Sequence, residues 1–175
     1  MRNKKFNSMI SAMIVGIFLF SAIIPISQSA GTSKLDGFSK GPSYTNVKPI
    51  RKSTMVNFEK DSYLDDYAYL ASLSSSVFLE DDILYSHPLL YYQDSYPVKE
   101  DKEKTLDTRK GIDFFMEDWM GYCNQKQDQM TLINIPRNKL DSSWKANEYV
   151  FINGDDPYEI SQKIALQDWS YSDDI

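Results

Sequence analysis

Few side chains in this sequence could do covalent or acid–base chemistry. His87 is the only histidine and Cys123 the only cysteine among 175 residues. On paper, His87 could join Cys123 as a Cys–His pair, or a serine and a carboxylate as a Ser–His–Asp triad. A single histidine excludes multi-histidine zinc sites and the His-Glu-x-x-His helix. No nucleophile elbow is expected. Cys123 falls on an apolar helical stripe, the place of a buried and inert thiol. His87 precedes Pro88 and reads as a loop or strand-end residue. Gly111, Gly121 and Gly154 stand isolated, too sparse for a phosphate-cradling loop.

Carboxylates are the remaining resource. Adjacent pairs recur at Asp65-Asp66, Asp81-Asp82, Asp155-Asp156 and Asp173-Asp174. Two facing carboxyl groups could serve glycoside hydrolysis or hold Ca²⁺. No Asp-x-Asp-x-Asp-Gly loop is present, however. Asp156 has the position of a helix cap and Asp81-Asp82 that of a turn. The expectation is no catalytic residue, no cofactor and no metal.

The elements that would position these groups follow from periodicity. Thr54–Phe58 alternates as a short strand. Ser62 opens a helix with Asp65 as capping-box partner, and Tyr63, Tyr67 and Leu70 at i, i+4, i+7, with Leu64, Ala68 and Ala71 beside them, mark its core face, though a tyrosine-rich face could also be a sugar platform. Val77–Leu79 and Ile83–Tyr85 form a hairpin about the acidic turn. Leu89–Tyr92 is an edge segment after Pro88, and Gln93–Lys104 a surface loop. The clearest helix runs over Arg109–Cys123, with Ile112, Phe115, Met116, Trp119 and Met120 as its apolar stripe. Asn124–Gln129 reads as a polar turn, Met130–Ile135 as a strand, Arg137–Asn147 as a polar connection and Glu148–Ile152 as another strand. The last helix has Asp156 as N-cap, Pro157 at its first position and Glu159 at its third. Together these predict one small mixed α/β domain over residues 54–175, with the strand order open.

Before it, Met9–Ile24 carries no charge, follows Arg2, Lys4 and Lys5, and precedes the small residues Ser27 to Ala30. This is the plan of a signal segment over residues 1–29, cleaved or kept as an anchor. The basic residues before the run should stay inside while the remainder crosses. Residues 30–53 read as a flexible spacer. Beyond residue 29 the chain has 16 basic and 25 acidic residues, a formal charge of −9. That opposes nucleic acid and anionic membrane surfaces as partners. One cysteine allows no intrachain disulfide, so the domain must rest on its core. No Asn-x-Ser/Thr sequon occurs.

The runs Asp61-Ser-Tyr-Leu-Asp-Asp-Tyr-Ala-Tyr-Leu-Ala, Tyr85-Ser-His-Pro-Leu-Leu, Gly111-Ile-Asp-Phe-Phe-Met-Glu-Asp-Trp-Met and Asp128-Gln-Met-Thr-Leu-Ile-Asn resemble the N-terminal region of large secreted archaeal envelope proteins, mostly uncharacterised. Asp155-Asp-Pro-Tyr-Glu-Ile-Ser-Gln-Lys-Ile-Ala-Leu looks like the opening of a type 2 cell-wall-binding repeat, in which a short helix precedes an apolar strand. The resemblance carries over no catalytic residue. With the leader, the spacer, the acidic surface and the lack of a catalytic constellation, the expectation is a secreted or cell-surface envelope module, structural or binding rather than catalytic. Its partners would be envelope or cell-wall components, or the C-terminal part of a longer protein. Membrane contact would run only through the N-terminal segment. Only Ile175 follows the loop Ser170–Asp174, so the chain is expected to be the N-terminal piece of such a protein. The alternative is the N-terminal part of an extracellular hydrolase working through a carboxylate pair.

Overall fold

A computed structural model describes residues 34–42, 46–95 and 108–169. The signal segment, most of the 93–104 loop and the Asp173-Asp174 pair lie outside the described residues. In chain order the elements are β1 (Val47–Pro49), β2 (Lys52–Asn57), α1 (Leu64–Ser76), β3 (Val77–Glu80), β4 (Ile83–Ser86), β5 (Leu89–Tyr92), α2 (Thr108–Tyr122), β6 (Gln127–Ile133), a 3-10 turn (Arg137–Lys139), β7 (Ala146–Ile152) and α3 (Pro157–Asp168). The class is mixed α/β, as expected from the alternating periods.

The main sheet has the order β5-β2-β6-β7, every pairing parallel. Met55 sits opposite both Leu90 and Leu132, and Leu132 opposite Phe151. Parallel strands need long crossovers, which place helices on both faces. On one face Met55, Met130 and Leu132 meet Ile112, Met116 and Met120 of α2, with Trp144 closing the layer. On the other, Val56, Ile133 and Ile152 meet Ala68 and Ala71 of α1 and Ile160 and Ile164 of α3. Burying each of the Val, Leu, Ile and Met side chains contributes about 1.5–3 kcal/mol. A smaller sheet, β1-β4-β3, covers Leu35, Ile50, Phe78 and Tyr85.

The hairpin is formed as expected. Asp81 and Asp82 take φ of 51° and 60°, the pair of left-handed residues that a two-residue turn between twisted strands requires. α3 also starts as expected, the Asp156 carboxylate accepting from the amides of Tyr158 and Glu159 at 2.9 and 3.0 Å.

Four expectations need correction. Residues 34–42 and 46–53 are folded, not spacer: Leu35 and Ile50 are buried, Lys40 bridges to Ile50, and β1 pairs with β4. Few apolar residues suffice there because each fills the small sheet's core. β6 begins at Gln127 rather than Met130, pairing with β7 from Gln127 and with β2 from Gln129, and Gln127 and Gln129 are buried because the parallel sheet is covered on its faces. In α2, Ile112, Met116, Met120 and Cys123 are buried, but Phe115 lies outside the stripe, 40% exposed.

The fourth correction concerns α1. Tyr63, Tyr67 and Leu70 face solvent, exposed 76%, 42% and 67%. The buried face is Leu64, Ala68, Ala71, Ser72, Ser75 and Ser76. Small side chains let the helix approach both sheet and α3. The buried hydroxyls are satisfied locally, Ser72 donating to Ala68 O at 2.8 Å and Ser76 to Ser72 O at 2.7 Å. The start also differs: Ser62 accepts from Leu64 N, while Asp65 reaches back to Glu59 N at 3.1 Å.

Candidate functional site

The chemistry-bearing residues are dispersed and mostly sealed. β2 alternates, so Lys52, Thr54 and Val56 share the face that packs on α1 and α3. Lys52 Nζ donates to Asp168 Oδ1 at 2.9 Å, with the two side chains 1% and 0% exposed. Thr54 Oγ1 lies 3.0 Å from His87 Nε2. A hydroxyl beside an imidazole has the composition of a nucleophile and its base. Both residues are buried, though, and no described cavity opens onto them. Burial, then the nearby Lys52 charge, pushes the His87 pKa well below its ordinary value, so the ring is neutral. Cys123 follows α2, which packs on the opposite face of the sheet, and its peptide oxygen accepts from Arg51 at 2.7 Å. Burial pushes its thiol up to about 11. The Cys–His pair drawn from the sequence is therefore not brought together, and the thiol is inert at neutral pH.

The sequence does contain the Gly-x-Ser-x-Gly spacing, at Gly37-Phe38-Ser39-Lys40-Gly41. It is not a nucleophile elbow, which needs a strand before the serine and a helix after it. Here the segment is a turn leading toward β1. Its glycines have local causes. Gly37 takes φ +103°, and a Cβ on Gly41 would collide with the Tyr122 ring.

In doubly wound sheets ligands bind outside the carboxyl ends of the strands, at the point where the chain reverses direction. Here that point lies between β2 and β6. Asn134, just after β6, is committed to Gly154 by reciprocal bonds of 2.9 and 3.0 Å. Beside it, after β2 and β5, lies a cavity of about 400 Å³ lined by Asn57, Phe58, Lys60, Asp94 and Lys139. Arg109 Nη1 donates to Tyr92 Oη at 2.8 Å, and Tyr92 Oη lies 2.8 Å from Asp94 Oδ1. Lys139 pairs with the same carboxylate and, with Tyr92, holds it below the usual range. Burial, then the Asp94 bond, pushes the Tyr92 phenol to about 12. The phenol stays protonated and bridges charges rather than acting as a base.

Three of the four carboxylate pairs fall within the described residues, and none lines a described cavity. Asp65 is buried and accepts from Glu59 N, Asp81-Asp82 is the hairpin turn and Asp156 a helix cap. A different acidic set surrounds a cavity of about 500 Å³: Asp113, Glu117 and Asp141 with Phe114 and Trp144. Sequence reading missed it because α2 and the loop before β7 converge only through the fold. Arg109 holds Asp113 at 2.8 Å. The Ser143 hydroxyl and amide keep Asp141 below the usual carboxylate range. Among the described residues no cluster of His, Cys, Asp and Glu is arranged to hold a metal, and no described helix is long and apolar enough to cross a membrane.

One open feature is apolar: Tyr63, Tyr67, Leu70 and Leu73 on the outer side of α1 and Tyr158 and Trp169 at the two ends of α3 are exposed between 38% and 76%. The Tyr67 and Tyr158 rings meet edge to face at 5.9 Å, and Trp169 Nε1 donates to Ala71 O at 2.8 Å. A scan against protein-family models and searches of curated proteins and solved structures return no match.

Proposed function

We propose that this chain is an exported cell-envelope or extracellular module with a binding role and no catalysis of its own. The exposed apolar face of α1 and α3 carries the reading. Exposed apolar surface of this kind suits contact with a partner, while the nucleophile and base candidates are buried. The leader and the acidic surface support export, with envelope or cell-wall components, or a further part of a longer protein, as partners. Fusing residues 1–40 to a reporter should send it out of the cytoplasm, and mass spectrometry should place the new N-terminus near Ala30. A cytoplasmic reporter would sink the reading.

One observation favours a second reading, extracellular hydrolysis: the cavity holding Asp113, Glu117 and Asp141. Glycoside hydrolysis requires one carboxyl held protonated, whereas Asp113 is ion-paired and Asp141 is pushed the other way. Hydrolysis of a polysaccharide panel that Glu117→Gln abolishes would establish this second reading over the first.

A further inference from the structure

We infer that the amino-terminal halves of β2 and β6 enclose a site for ordered water, between the sheet and helices α1 and α3. The site is independent of the binding and export readings above. Alternation along the two strands turns Lys52, Thr54, Gln129 and Thr131 toward the same helices as Val56 and Ile133. Lys52 sits opposite Gln129, and Thr54 opposite Thr131. His87 joins this layer through Thr54 Oγ1 at 3.0 Å, and Asp168 through Lys52 Nζ at 2.9 Å. All six residues are at most 6% exposed. Four of them carry a buried polar atom that meets no protein partner: Gln129 Oε1, Thr131 Oγ1, His87 Nδ1 and Asp168 Oδ2. One such atom left unpaired lowers a folding constant about fivefold or more, so buried polar atoms of folded proteins are bonded to protein or to water.

The chemistry of these atoms selects the occupant. An amide oxygen and a carboxylate oxygen only accept, so the occupant must donate hydrogen bonds. An anion is opposed by the same oxygens. The Lys52 ammonium opposes a metal ion, and among the described residues no cluster of His, Cys, Asp and Glu is arranged to hold one. A larger organic molecule has no path inward, since none of the six residues lines a described cavity. The surrounding side chains suit an occupant the size of water. Farther along the strands, Val56 and Ile133 pack with Leu64, Ile160 and Ile164. Here the threonines lie beneath the last turns of α1, whose buried residues are Ala71, Ser72, Ser75 and Ser76, and Ser76 O accepts from His87 N at 2.9 Å. Polar groups on the sheet beneath a helix of small residues are the setting in which buried water is held.

Oxygen-17 relaxation dispersion of the solvent, recorded on the full chain, should report long-lived internal water, with an amplitude that falls in Thr131→Val. In urea melts the same variant should lower the folding constant about fivefold, because the water loses a partner. A dry layer gives the opposite sign: exchanging an unpaired hydroxyl for a methyl would raise the urea midpoint. Should the variant fail to fold, the wild type carries the test. Water–protein nuclear Overhauser cross-peaks belong at the Thr131 methyl and not at the Ile160 and Ile164 methyls. An unchanged or raised midpoint, an unchanged dispersion amplitude, or no cross-peak at Thr131 would overturn the water site. None of these would touch the export reading, which the reporter fusion decides separately.

Discussion

An imidazole buried beside a lysine has one comfortable protonation state. The pKa of His87 is depressed when folded and near 6.5 when unfolded. Below pH 6.5 the unfolded chain therefore takes up a proton that the folded chain refuses. Stability is full above that pH and falls as pH drops beneath it, by at most about 1.4 kcal/mol per pH unit. Urea midpoints at pH 7.5, 6.5 and 5.5 should show the decline, and His87→Gln should flatten it; a wild-type midpoint level across that range would refute the assignment. Cys123, its thiol raised to about 11, should label slowly with a thiol reagent in the native protein and rapidly in denaturant. The two residues were not equally legible. Cys123 lies on a helical stripe visible in the sequence, so its burial could be read. The contact of His87 with Thr54 depends on Thr54 pairing with Leu89 across parallel strands, and spacing alone cannot supply that register.

α1 shows how a periodic element can be recognised and its orientation misread. The helix is evident in the sequence, and so are Leu64, Ala68 and Ala71 beside the tyrosines, but the bulkier apolar residues lie on its outer face and mostly small ones on its inner face. Tyr63, Tyr67 and Leu70 form the larger hydrophobic stripe, yet the sheet and α3 select the smaller one, because close approach needs Ala68, Ala71 and the serines. Volume therefore matters at Ala68 and not at Leu70. Ala68→Leu should cost about 1–3 kcal/mol by overpacking. Leu70→Ser should stay within about 0.5 kcal/mol, measured by denaturant melts. The reverse ranking would restore the tyrosine stripe as the core face. β6 was misread in its first half for a related reason. Gln127 and Gln129 look like turn residues, but a strand inside a parallel sheet covered on both faces buries its side chains regardless of their polarity. The α2 helix, the Asp81-Asp82 turn and the Asp156 cap were legible because each is a local device with its own residue signature.

At the scale of the molecule, the mixed α/β class was readable from alternating periods, while the order β5-β2-β6-β7 was not, since it depends on which helix covers which face. One contact draws the whole order together. Lys52 opens the second strand and Asp168 closes the last helix, 116 residues apart, and they meet with almost no exposure. In sequence, a lysine near a strand start and an aspartate near a helix end both read as surface. Their burial follows from α3 returning along the face of β2. A charge pair taken out of water adds little net stability, but breaking it strands a charge. Lys52→Met would leave Asp168 buried without its lysine, and Oδ2 of that carboxylate already meets no protein partner. The single change should cost about 3–5 kcal/mol, and adding Asp168→Leu should recover most of the loss. A double-mutant cycle from urea unfolding, at a pH above the His87 transition, isolates the coupling. If Lys52→Met alone lost less than about 1 kcal/mol, the pair would be a passenger of the fold, and the anchoring of α3 would rest on Ile160 and Ile164 and on the Trp169 bond to Ala71.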